Sequence, residues 1–340
     1  SAQTVINEAI NALPTGGGKI LLLEGTYVID GPIVISSNVT LEGQGPNTII
    51  KVVDNCITDN FGVIQNSDII NGNNNISILH LFIHCNSDNN TGKYSGIRFT
   101  KVTDSTIAYC NIKYSKGRLI DMTFCDNNNI LNNLLSHSGT DGMYLDACGY
   151  NNITSNTVTN NRRFGIMLLD LASPGVESKS NENMINGNIV SYAGRDGISV
   201  ESGDGNCVFN NLSIYNTGSG IYSTSGSTSI NNNVCKFNGE HGIFSTNDKS
   251  NLCGNSCIGN SQAKDNTYDG IRLASADYNN VQNNIVRHDN LSKRHKYGIN
   301  ISNSSCEGNI VTNNDLRASG VTGGLRDAGT GTITTAGNKV

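Results

Sequence analysis

A glycine followed by an apolar residue returns along this chain at nearly even steps, and that repeat limits the folds open to it. The pair occurs at Gly96-Ile97, Gly142-Met143, Gly165-Ile166, Gly197-Ile198, Gly220-Ile221, Gly242-Ile243, Gly270-Ile271 and Gly298-Ile299, with Gly117-Arg118 as the one variant. In chain order the intervals are 21, 25, 23, 32, 23, 22, 28 and 28 residues. Steps near 22 set the basic unit and the longer ones mark loop insertions, the signature of a solenoid in which each repeat needs only its neighbours. After each glycine the apolar residues alternate, as in Ile97/Phe99, Met143/Leu145, Ile198/Val200 and Ile271/Leu273, which is the period of a half-buried strand. Later in each unit come two more short strands, such as Asn152-Ile153 and Asn156-Thr157-Val158. Three strands per repeat predict an all-β, single-stranded right-handed parallel β-helix.

The glycine at the strand start fits a turn that needs positive φ or close approach of the next coil. Runs such as Asn127-Asn128-Asn129 and Asn231-Asn232-Asn233 read as turn columns, because stacked Asn hydrogen-bonds from coil to coil and tolerates left-handed backbone. A solenoid has open ends that must be covered. Residues 4–13 read as an amphipathic capping helix with Val5, Ile6, Ala9, Ile10 and Leu13 on one side, stopped by Pro14 and Gly16-Gly17-Gly18. Strands follow at Lys19–Leu23, Thr26–Val28, Ile33–Ile35 and Val39–Leu41, coils fill 19–318, and residues 319–340 lose the alternation and read as an irregular end. The whole, 1–340, reads as one domain.

Charged residues are 15% of the 340 and hydrophobic ones 36%, a balance that suits a thin fold with polar turns. A net charge of −5 and a pI near 5.7 argue against a nucleic-acid binder, which would carry a basic face. No run of eighteen apolar residues predicts a membrane span, and no signal peptide is read at Ser1-Ala2-Gln3. The ten Cys include no CxxC pair and read as small buried thiols. His80 and His84 would lie roughly 13 Å apart along one strand, too far to share a metal. The stretch from Arg287-His288 to Lys293-Arg294-His295-Lys296 is locally basic and reads as a solvated loop or a polyanion contact.

Counted from each glycine, even positions point outward and form columns with neighbours roughly 4.8 Å apart. Position four holds Asp121, Asp146 and Glu201, position two holds Tyr144, and two residues before the glycine lie Arg163 and Arg195. Asp121 and Asp146 on adjacent coils would perturb each other's pKa and make one an acid or base. A guanidinium at Arg163 could hold a substrate carboxylate. Arg118 in an apolar slot is the one break in the repeat, and such breaks tend to be functional. A face with aromatics and both charge signs suits an extended sugar chain, against the alternative of an ordinary solvated sheet.

The segment Cys85-Asn86-Ser87-Asp88-Asn89-Asn90-Thr91-Gly92-Lys93-Tyr94-Ser95-Gly96, the Gly-Gly-Gly-Lys-Ile-Leu-Leu-Leu-Glu-Gly-Thr-Tyr run at 16–27, Asp141-Gly142-Met143-Tyr144-Leu145-Asp146 and Asn160-Asn161-Arg162-Arg163-Phe164-Gly165 resemble the catalytic modules of mannuronan (alginate) epimerases, pectate-lyase-like β-helices. The resemblance covers about residues 4–200. It implies that Lys93, Asp146 and Arg163 line a polysaccharide groove. The family's proton-transfer Tyr, Asp and His fall on Lys116, Leu119 and Asp121, so the catalytic Tyr and His are both missing. Either another base serves, Lys116 or Asp121, or the chain binds without transforming.

Proton removal at carbon five of a uronate begins both epimerisation and β-elimination, and needs a base, an acid and a neutraliser of the carboxylate. Asp121, Asp146, Tyr144 and Lys116 are the candidate proton movers; Lys93, Arg163, Arg118, Glu201 and Arg195 are the candidate substrate contacts. Hydrolysis ranks third, since neighbouring carboxylates fit only a retaining geometry. The competing expectation is a display rod, a surface adhesin or phage-spike-like solenoid; an enzyme would be a monomer, a spike a trimer. Sequons at Asn38, Asn75, Asn152 and Asn211 within packed strands and turns point to a prokaryotic or viral chain, extracellular or on a surface. No metal or cofactor is expected beyond a Ca²⁺ among turn aspartates.

Overall fold

The computed structural model describes residues 1–171, 180–289 and 292–340, and the chain divides into two compact units. The first is 1–163 with 170–183, the second 164–169 with 184–340. Both are right-handed parallel β-helices. No helix among the described residues is long and apolar enough to cross a membrane.

In the first unit each coil contributes one strand to each of three parallel sheets. The sheet that carries the candidate site is made of Ile33–Ile35, Gly62–Asn66, Ser95–Thr100, Ile120–Thr123 and Met143–Asp146. Alternation puts one side chain in two inside, and register stacks like on like. Ile33, Ile64, Ile97, Ile120 and Met143 are successive partners, and all are fully buried. A second ladder runs Ile50, Ile83, Ile112, Leu135, Val158 and a third Leu41, Ile78, Ile107, Ile130, Ile153. Burying each such side chain contributes about 1.5–3 kcal/mol.

Helix Ala2–Asn11 starts and stops two residues before the span its sequence predicts. The last predicted turn is present in a tighter form, for the Leu13 amide donates to the Ile10 carbonyl at 3.1 Å. Ile6 and Ile10 are buried while Val5 is 66% exposed. Asn7 ties the helix to the first coil, donating to the Pro32 carbonyl at 3.0 Å and accepting from the Val34 amide at 2.9 Å. The four first strands run Gly18–Leu21, Gly25–Ile29, Ile33–Ile35 and Val39–Glu42.

The asparagine columns are as predicted. In the first unit Asn151 accepts from the amide and side chain of Asn128, at 2.9 and 3.1 Å, and itself donates to Asn183. In the second the column runs Asn188, Asn211, Asn233, Asn255, Asn284, Asn314, Asn338. Each buried side chain also donates to a carbonyl of the preceding coil, as Asn233 does to Val208 at 2.8 Å, so the turn amides are satisfied without water. Asn211, buried in this column, cannot carry a glycan in the folded chain.

The second unit repeats the plan, with Ile198, Ile221, Ile243, Ile271, Ile299 and Leu325 as successive partners. Residues 319–340 are more regular than predicted. Gly323–Asp327 pairs with Tyr297–Ile301, and single bridges at Thr330, Ile333 and Lys339 continue the coil; backbone pairing persists there after the apolar alternation fades. The Gly at the strand start answers to close approach: a Cβ on Gly242 would lie 2.6 Å from the Gly270 carbonyl oxygen.

The ten cysteines are unpaired and seven are buried. His80 and His84 do not share a strand face, because His80 sits in a left-handed turn at φ 54 and stacks on Tyr109. In the basic stretch 287–296, residues 290 and 291 lie outside the described residues.

Candidate active site

The coil at Gly117 corrects the count from which outward columns were read. Ile97, Ile120 and Met143 are in register, and the Gly96 and Ile97 amides donate to the Arg118 and Leu119 carbonyls. Leu119, fully buried, therefore fills the place that glycine holds in other coils. Gly117 lies two residues earlier, level with Tyr94, whose carbonyl its amide meets. The uneven steps of 21 and 25 become two of 23. Arg118 is thus in the turn before the strand and not in an apolar slot. Asp121 pairs with Arg98 and Tyr144, while Asp146 pairs with Thr123, so the two carboxylates share no column.

The corrected register gathers charge at one place on the first unit. Asp121, 8% exposed, accepts from Arg118 Nη1 at 2.7 Å, Arg98 Nε at 3.3 Å and Ser95 Oγ at 3.2 Å. Arg118 lies over the Tyr144 ring, its guanidinium carbon 3.2 Å from the centroid, and its Nε stands 3.5 Å from Asp141. Asp141 is fully buried, with Arg163 Nη1 3.8 Å away. The Tyr144 hydroxyl is 3.5 Å from Asp146 Oδ2, and Asp146 Oδ1 accepts the Leu171 amide at 2.8 Å.

These neighbours set the protonation states. Burial pulls the Arg118 guanidinium down, but Asp121, Tyr144 and Asp141 together hold it above its ordinary value, so it stays a cation. Burial pushes the Tyr144 phenol up; Arg118 opposes this and Asp146 adds to it. Tyr144 is then a neutral proton donor near pH 7 rather than a base.

A cleft of about 160 Å³ opens over this group, lined by Asn60, Lys93, Ser95, Arg98, Gly117, Arg118, Asp121 and Thr140. Lys93 reaches it because its segment is pinned by its own amide, which donates to Asp59 at 2.8 Å. Three cations face one carboxylate there, and the surplus suits an anionic ligand. A larger cleft of about 750 Å³ holds Lys116 but is walled by Asp54, Asp59 and Asp88, which would repel an acidic sugar. Lys116, read from the sequence as a candidate base, thus lines a different cleft from Lys93, Arg98 and Arg118. Arg195 and Glu201 belong to the second unit: Arg195 lies 5.6 Å over Phe164, and Glu201 accepts from Ser199 Oγ at 3.1 Å. Arg98 and Asp141 were not singled out from the sequence; a coil length of 23 in place of the glycine count would have put Arg98 beside Asp121. Among the described residues no three His, Cys, Asp or Glu side chains converge to hold a metal.

The comparisons agree with this architecture. Two solved mannuronan C-5 epimerase A-modules of Azotobacter vinelandii match: AlgE6 at TM-score 0.82 and 18% identity, covering 98% of this chain and 95% of that one, and AlgE4 at 0.75 and 19%, covering 98% and 94%. The Dettilon tailspike protein matches at 0.69 and 15%, over 96% of this chain and 66% of that one. At such identities the likeness shows the fold. No curated protein matches. Residues 174–340 match the model of the right handed beta helix region. Residues 1–176 match the model described as Rhamnogalacturonase A/epimerase, pectate lyase-like, and by that match over more than half its length the chain belongs to this family.

Proposed function

We propose that the first unit acts on an acidic polysaccharide, seating the carboxylate of a uronate against Lys93, Arg98 and Arg118 and removing its carbon-five proton. The surplus of cations over the single carboxylate Asp121 in one small cleft carries this reading. Removing that proton leaves negative charge spread over the sugar carboxylate, and fixed guanidiniums stabilise it more as it develops. Tyr144, protonated and backed by Asp146, is the group fitted to return a proton, either to carbon five from the other face, giving an epimer, or to the departing 4-oxygen, giving a lyase product. The base is then Asp121 or Asp146, since Lys116 lines the other cleft.

One observation favours the second reading, a binding or display surface. Both Asp121 oxygens are occupied, by two guanidiniums and a hydroxyl, which makes it a poor base. Incubation with polymannuronate, mixed alginate and polygalacturonate separates the readings. New ultraviolet absorbance of unsaturated ends means a lyase, and altered sugar composition in the proton NMR spectrum without cleavage an epimerase. Asp146→Asn and Arg163→Ala should abolish either. No change on any polymer leaves the binding surface as the account.

A further inference from the structure

The second unit carries a file of outward side chains that nothing so far uses. Tyr222, Phe244, Arg272, Asn300 and Arg326 are successive register partners on its sheet, about 4.8 Å apart. The Tyr222 and Phe244 rings are 5.3 Å apart and half-exposed. Arg272 extends over Phe244, its guanidinium carbon 5.7 Å from the ring centroid.

Arg272 is unpaired. Its Nε is shut off from water with no acceptor, and it makes no ion pair within 4 Å among the described residues. The adjacent carboxylate that would satisfy it is committed elsewhere. Asp269, buried, accepts the Tyr297 amide at 3.1 Å and Asn300 Nδ2 at 2.8 Å. Asn300 in turn accepts from Arg326 at 3.2 Å. His241 offers Arg272 no charge: its Nδ1 accepts the Asp269 amide at 2.9 Å, and burial, with Arg272 adding to it, lowers it to about 3. A buried guanidinium Nε without an acceptor is costly unless a ligand supplies one, and the half-exposed side chain leaves its outer nitrogens open to that ligand.

We propose that this file is a second binding site, for a chain of acidic sugars: Tyr222 and Phe244 stack against pyranose faces, and Arg272 takes the carboxylate of the sugar on the next rung. Sugars fit rings of this kind because their axial C–H faces are apolar, and the fork of Arg matches a carboxylate. The sign of the surface changes along the file, with Glu201 and Asp196 acting on Tyr222 and Arg326 at the far end, so the sugar carboxylates are held toward the Arg272 end. The proposal rests on the acidic-polysaccharide reading of the first unit for its ligand class, though not for its residues.

Titration calorimetry of the full chain with hexamers of galacturonate and mannuronate, and with a neutral hexamer, tests it in the parent and in Arg163→Ala, which takes from the first site the guanidinium that shares Asp141 with Arg118. Uronate binding should persist in Arg163→Ala, fall at least tenfold when Arg272→Gln is added and several-fold with Phe244→Ala, and be partly kept in Arg272→Lys; the neutral hexamer should bind at least tenfold more weakly. Unfolding curves of each variant show that the coil is intact. Loss of all binding in Arg163→Ala alone overturns the second site and keeps the first. Affinities within twofold across the Arg272 and Phe244 variants overturn it too, and absence of uronate binding to the parent overturns both sites together.

Discussion

Replacing Asp121 by Asn separates a carboxylate that moves protons from one that organises cations. In the cleft Asp121 is the one negative group among Lys93, Arg98 and Arg118, so the substitution raises the local charge by one. The guanidiniums keep their places. Arg98 still donates to the Asn60 carbonyl at 2.8 Å and to its side chain at 3.3 Å, Arg118 still faces Asp141 and the Tyr144 ring, and an Asn oxygen can still accept from Ser95. A uronate carboxylate seated about 6 Å from position 121 would shed a repulsion of roughly 3 kcal/mol at an effective dielectric of about 20. Solvent at the open side and salt reduce this to about 1–1.5 kcal/mol, near tenfold tighter binding at low ionic strength that fades as salt is added. Calorimetry with uronate hexamers at low and physiological salt reads it directly. Weaker or unchanged binding would refute the placement of the sugar carboxylate. Turnover gives an independent answer: if Asp121 is the base, product formation stops while affinity rises.

Tyr144→Phe removes the hydroxyl near Asp146 and should lower turnover at least a hundredfold with hexamer affinity unchanged; activity within threefold of the parent would exclude Tyr144 as the acid. Asn233→Ala deprives the Asn211 amide and side chain of the acceptor they share and should cost about 2–5 kcal/mol, read as a lower unfolding midpoint and faster amide exchange at Asn211, whereas a loss under about 1 kcal/mol would mean water replaces the column. Asp196 is raised to about 6, burial being the main cause, the Ser219 amide opposing it and Glu240 and Glu201 adding to it. The folded state thus holds this proton more tightly than the unfolded one, and stability should fall as pH rises from about 4 to about 6 and stay lower above that. Moving the group from 3.8 to about 6 bounds the effect at roughly 3 kcal/mol; Asp196→Asn should flatten the dependence in that window and gain stability above it, and an unchanged pH profile would remove the premise.

The coil period, the capping helix and the asparagine columns were legible because each is enforced locally. An apolar alternation repeated at a fixed step leaves one way to bury itself, and Asn at a turn brings its own partner from the coil above. The register at 117 was not legible, because a glycine two residues ahead of the usual position imitates the marker while Leu119 fills its slot. The left-handed turns also held a surprise. Tyr192, Tyr215 and Phe237 adopt φ of 52, 56 and 54, where Asn or Gly would be expected, and their rings stack at 5.4 and 5.3 Å. Stacking between coils offsets the strain of that backbone, an effect no single repeat reveals. Residues 319–340 were misread for the opposite reason: their backbone pairs although their side chains no longer alternate.

Two files of side chains on the first unit explain why its cleft is charged. At or just before the strand starts stand Ser95, Arg118 and Asp141, and within the strands Arg98, Asp121 and Tyr144. Laid side by side over three rungs, these files set each carboxylate beside guanidiniums: Asp121 between Arg98 and Arg118, and Asp141 beneath Arg118 and Arg163. The same two files on the second unit are wired differently, for Asp196 and Asp269 turn to the backbone amides of Ser219 and Tyr297. Arg272, though its charge acts on Asp269, is left without a hydrogen-bonding carboxylate as a result. A repeat that fixes its inward residues as ladders of Ile and Val leaves the outward ones free, so one fold can hold a cation-rich charge network on one unit and a guanidinium without an acceptor on the other. In the first, cation in excess of carboxylate favours an anion; in the second, a missing acceptor does.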